Sequence, residues 1–162
     1  MYIAKKKSSQ GNTIIEFAIV STVFFMMLVA IVAGGHLYYT HNALVEATRR
    51  GARYAVLHCK PSQSGCANSG TVVANVKDIV VYGTDAPATG ATSLIPNLQP
   101  SNVTVTYSTS PAFGVGAGTV TVTIESYTFP FVLPTQTTSI TMPPYRTTMT
   151  GENAGFIPPN IP

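Results

Sequence analysis

Six carboxylates, three imidazoles and two thiols are the groups in this 162-residue chain with the most chemistry to offer. The acids are Glu16, Glu46, Asp78, Asp85, Glu125 and Glu152. Their spacing gives no paired-carboxylate motif, no His-Glu metal motif and no nucleophile elbow. His36, His41 and His58 share no metal-ligand spacing and read as interfacial or surface residues. Cys59 and Cys66 are separated by six residues and are expected to close a short disulfide loop in an oxidising compartment. Such a loop would stabilise by roughly 2–3 kcal/mol on the chain-entropy account. The rival reading is a metal site that also uses His58, but zinc would need a fourth ligand and usually closer spacing. The glycine-rich string at 114–118 resembles a phosphate loop only superficially. No Lys-Ser/Thr follows it, and the next segment reads as a strand.

Glu16 is the acid in the unexpected place. It stands near the start of residues 14–33, an otherwise uncharged apolar run, and follows Gly11 by five positions. A charge within such a run costs about 2.5–3.5 kcal/mol at the middle of a membrane helix, and less near an end. A simple anchor or export signal has no need of it, so a partner near the membrane is implied.

The elements that would position Glu16 follow from the pattern. Twenty residues at about 1.5 Å each reach the roughly 30 Å of a bilayer core. Lys5, Lys6 and Lys7 precede the run, which predicts a cytoplasmic N-terminus and an external remainder. A cleavable secretory signal fits less well, because the run exceeds the usual 7–15 residues and contains Glu16. The helical pattern also continues past any cut near residue 34. Leu37, Thr40, Leu44, Ala47, Gly51 and Tyr54 make one small or apolar stripe. Tyr39, Asn42, Glu46, Arg49, Arg50 and Arg53 fall opposite, with Glu46 and Arg50 spaced for an i,i+4 pair. No proline interrupts residues 12–57, so one long helix is expected, bending at Gly34-Gly35 where the membrane ends. The arginines read as a solvated face or as contacts to partner subunits or lipid headgroups. Gly51 among them would let a second element approach.

Beyond the helix, Val72, Val73, Val76, Ile79 and Val80 share one helical face, although their β-branching leaves a strand open. Residues 85–100 read as a loop. Alternation at Val103, Val105 and Tyr107 and at Val120, Val122 and Ile124 predicts a hairpin across residues 111–118. Further strands are expected at 137–142 and 145–150, with four prolines between 130 and 144 favouring sheet edges. Residues 155–162 read as an extended tail. The predicted fold is α+β: a long N-terminal helix packed by its outer half on an antiparallel sheet of about three strands. The predicted divisions are a basic leader (1–11), a membrane helix (12–35), its amphipathic continuation (36–57) and an external domain (58–162).

Gly11…Ile15-Glu16-Phe17-Ala18 and Ala47-Thr48-Arg49-Arg50-Gly51-Ala52-Arg53-Tyr54-Ala55 together resemble the TadE-like pseudopilins of the tight-adherence (Tad, or Flp) branch of type IV pilins. The resemblance covers about 45 residues. It implies cutting after Gly11 by a prepilin peptidase, with Asn12 becoming the first residue. It also implies that Glu16 and Phe17 act in register and assembly. The implied partners are the peptidase, other pilin subunits, the Tad assembly machinery and the lipid bilayer, in support of an adhesive pilus. The implied location is the inner membrane, with passage into an external pilus. No enzyme activity, cofactor, metal or small-molecule substrate is expected. The nine basic residues form no patch interleaved with aromatics, so no nucleic acid is expected either. The alternatives are a membrane-anchored envelope binding module with an uncleaved N-terminus, and an exported enzyme.

Overall fold

The computed structural model describes residues 10–59, 70–108, 118–132 and 137–151. The hairpin loop, the extended tail, the basic leader and Cys66 therefore lie largely or wholly outside the described residues.

Helix α1 (Gln10–His58) is a single 49-residue helix. Gly34 and Gly35 do not interrupt it, and open space surrounds both. The valine-rich segment, read as a helical face with a strand left open, folds as a helix, α2 (Gly70–Tyr82), with Val76, Val80 and Val81 buried. Its end is fixed by Gly83, whose φ of 80° a residue with a Cβ adopts only with strain.

Strands β1 (Val103–Ser108), β2 (Thr119–Ile124) and β5 (Tyr145–Thr150) form an antiparallel sheet in the order β1-β2-β5. Register makes the faces unlike. One carries the rows Val103-Ile124-Tyr145, Val105-Val122-Thr147 and Tyr107-Val120-Met149. Helix α1 covers this face over β2 and β5, and α2 covers it over β1. The opposite face carries Thr104, Thr106, Ser108, Thr119, Thr121, Thr123, Arg146, Thr148 and Thr150. Period-two patterning is thus read out directly as inside and outside.

Strands β3 (Thr128–Val132) and β4 (Thr137–Thr141) form a separate two-stranded ribbon. Pro130 sits inside β3, which no sequence pattern flagged as a strand. A two-stranded ribbon leaves one edge of each strand unpaired, so a residue lacking an N–H can be tolerated there. Asn102 holds the chain that leads into β3. Its Nδ2 donates to the carbonyls of Glu125 (3.2 Å) and Ser126 (3.4 Å). Tyr127 then donates its hydroxyl to Pro96 O at 2.8 Å.

The core lies where α1, α2 and β2 meet. Leu44, Ala47, Ala52 and Ala55 of α1 are fully buried with Val76, Val80, Val120 and Val122. Gly51 sets the helix separation. A Cβ there would overlap Val80 Cγ2 and lie 3.6 Å from Val122 Cγ1 and 3.7 Å from Val76 Cγ1. Elsewhere in a helix, alanine is favoured over glycine by about 1 kcal/mol. Here overpacking of about 1–3 kcal/mol opposes that gain. Gly51→Ala is therefore expected to destabilise the detergent-solubilised protein by about 1 kcal/mol in chemical denaturation. Stabilisation instead would show that α2 does not lie against Gly51.

Candidate functional site

The candidate residues read from the sequence lie at two places on α1. The first is its N-terminal turn. Gly11, Asn12, Glu16 and Phe17 are all exposed, and Phe17 is 72% exposed. Nothing comes within 4 Å of a Cβ placed on Gly11. Asn12 and Glu16 are four apart and share one helix face. Among the described residues no hydrogen bond or ion pair reaches the Glu16 carboxylate. The next polar groups are already satisfied. Ser21 and Thr22 donate their hydroxyls to Ala18 O at 3.0 and 2.8 Å. Such back-bonding lets a hydroxyl enter an apolar environment, whereas a carboxylate has no donor to return to its own helix. Glu16 is therefore the one ionisable side chain among described residues 10–35, and the helix cannot satisfy it.

The apolar half of α1 is suited to lipid. Its best 18-residue window has a mean hydropathy of 2.5, and none of it is buried. This is one helix long and apolar enough to cross a membrane once.

The second place is the arginine face. Arg49, Arg50 and Arg53 line a cleft with Glu46, Tyr54, Leu57, Ile79 and Met149. The expected Glu46–Arg50 ion pair is not made, and no ion pair engages these arginines among the described residues. An exposed i,i+4 pair is worth only about 0.3–0.5 kcal/mol, too little to fix two long side chains against hydration. Arg50 Nε is buried and has no hydrogen-bond partner. Gly51, between the arginines in sequence, faces inward beneath α2 and packs within the subunit. Tyr54 joins the cleft to the loop after α2, donating its hydroxyl to Asp85 Oδ2 at 3.1 Å. Burial, with the Asp85 charge adding to it, raises the Tyr54 phenol above 10.0. Arg49 lies about 24 Å beyond residue 33 along the helix, too far for lipid headgroups. The cleft carries three arginines and one glutamate.

Residues 11–53 match the family model described as TadE-like protein. Over this segment the chain is similar to TadE-like proteins. The TadE-like segment begins at the glycine of the N-terminal turn and ends at Arg53, so it holds both places on α1. Similarity to that family suggests a connection with the Tad pilus system. No curated protein and no solved structure gave a match. Cys59 and Cys66 fall outside the matched segment. Cys59 follows the last residue of α1, its N–H donating to Ala55 O at 3.0 Å.

Contacts between α1 and the distant strands were not legible beforehand. His41 Nδ1 lies 2.8 Å from the Tyr145 hydroxyl, and His36 meets Phe129 edge-on at 5.3 Å. Thr48 donates to Val45 O at 2.8 Å and its Oγ1 also lies 2.8 Å from Thr147 Oγ1. The histidines follow from their place on the helix, but nothing in the sequence names the partners.

If the arginines serve a partner and not the fold, removing them leaves the subunit intact. Arg49→Ala and Arg53→Ala are expected to change stability by less than about 0.5 kcal/mol. Arg50→Met is expected to be neutral or stabilising, since it removes a buried donor without an acceptor. A loss of about 2 kcal/mol in thermal or chemical denaturation would assign them to the fold instead.

Proposed function

We propose that this protein is a minor pilin or pseudopilin of a Tad-type adhesive pilus. A prepilin peptidase cuts it after Gly11, and it then supports filament assembly from the inner membrane. The observation that carries this reading is Glu16: a carboxylate without a partner, on an exposed apolar helix, one turn beyond the glycine. Cleavage supplies what the carboxylate lacks, an α-ammonium on Asn12. Two charges 4 Å apart attract by roughly 4 kcal/mol at an effective dielectric of 20. That is comparable to the cost of about 2.5–3.5 kcal/mol for one charge in a membrane helix. A neighbouring subunit, slipped along the filament axis, brings its amine to Glu16 and fixes register, as polar groups in apolar seams do. Phe17 and the apolar residues after it exchange lipid for neighbouring helices. Arg49, Arg50 and Arg53 dock an acidic surface of another subunit.

In this reading residues 1–11 are the leader, 12–35 the span and 58–162 an external domain. The external side is oxidising enough for a Cys59–Cys66 bridge. The test is Glu16→Ala expressed with the peptidase and the Tad machinery. The expected outcome is normal shortening of the chain on a gel with a large loss of subunit in sheared pili. Full incorporation of Glu16→Ala would remove the register role, and an unshortened wild-type chain would favour an anchored envelope module.

A further inference from the structure

The β3–β4 ribbon sits lower on α1 than a water-exposed domain should. Phe129, Pro130 and Phe131 line a cleft of about 360 Å³ together with Val29, Val32, Ala33 and His36 of α1. Counting from Ile14, Val29 lies about 22 Å along the helix and His36 about 33 Å, at 1.5 Å per residue. With a hydrocarbon core about 30 Å thick, Val29 is inside it and His36 at its edge. Any membrane-inserted molecule with this fold therefore carries the ribbon at the boundary between headgroups and acyl chains.

Composition agrees with that depth. From residue 127 to residue 145 the chain has no Asp, Glu, Lys or Arg, and the flanking charges are Glu125 and Arg146. A second cleft of about 500 Å³, lined by Gly34, Leu37, Tyr38, His41, Met142, Pro143 and Tyr145, opens just above it, about 30–40 Å from Ile14 on the same count. Tyr38 and Tyr39 are 69% and 71% exposed there, where tyrosine characteristically anchors a span. Ile140, paired with Phe129, is an exposed large apolar residue of the ribbon.

We propose that the β3–β4 ribbon is a membrane-contacting element, set beside the helix exit with Phe131 and Ile140 against the glycerol and upper acyl region of the lipid. The proposal rests on α1 spanning the membrane, and on nothing about cleavage or pili. It makes the subunit's hold on the bilayer two-part: a span and a shallow apolar foot. The foot fixes the height and tilt of the domain over the surface.

The chain contains no tryptophan, so single-tryptophan variants report directly. The full chain is reconstituted in phosphatidylcholine vesicles with or without bromine near the head of the acyl chain. Phe131→Trp and Ile140→Trp are expected to lose most of their emission in brominated vesicles and to resist aqueous iodide. Leu57→Trp, high on α1, is expected to show the reverse. Phe24→Trp, near the bilayer middle, is expected to be quenched by lipid brominated deep in the chain. Quenching of Phe24→Trp by deep bromine, with none of Phe131→Trp or Ile140→Trp by shallow bromine, overturns the foot. It does so whether iodide reaches the ribbon or a second copy covers it. Failure of Phe24→Trp to quench removes the membrane span itself, and the foot with it.

Discussion

One unbroken helix has to satisfy two solvents, and the rest of the molecule is arranged around that demand. Backbone groups of α1 pair within the helix from Gln10 to His58, so the same secondary structure is allowed in lipid and in a protein core. Only the side chains change. Up to about residue 33 they are mostly apolar and exposed; from Thr40 one side becomes buried, with Leu44, Ala47, Thr48, Gly51, Ala52 and Ala55 in the core. Small residues on this half let two further elements close on the helix, α2 at Gly51 and the sheet at Thr48.

The same division separates the chemistry. At the lipid end, side-chain hydroxyls bond back to the helix and the carboxylate of Glu16 is left over. At the domain end, hydroxyls and imidazoles find partners on distant strands, as Thr48 does with Thr147 and His41 with Tyr145. The arginines there are left over. Each end of α1 thus carries charged side chains that make no ion pair among the described residues: Glu16 at one end, and Glu46 with the three arginines at the other. The ribbon marks the transition, since Phe129 meets His36 where the helix leaves the apolar zone.

Much of this was legible from residue spacing. The 3.6-residue stripe from Leu37 to Tyr54 predicted which side of α1 enters the core, and Arg49 and Arg53 stay exposed on the other. Alternating valines predicted β1 and β2, and the short threonine-rich runs predicted β4 and β5. Strand β3 was hidden because Pro130 is a strand breaker except at an edge, and edges are set by tertiary pairing. The Glu46–Arg50 spacing was correct for a pair that solvation wins instead. The helix continues unbroken through Gly34-Gly35, because glycine permits a helix to break without requiring it. Glu16 stands out in the sequence because a single acid in an apolar run violates local preference, and such violations collect at functional positions.

The central claim is that Glu16 awaits an amine made by proteolysis one turn earlier. Intact-mass and N-terminal peptide analysis of the protein coexpressed with a prepilin peptidase tests this directly. The account predicts that the mature chain begins at Asn12 and that the peptide 1–11 is lost only when the peptidase is active. A mature chain that begins at Met1, or that begins near Gly34, would contradict it.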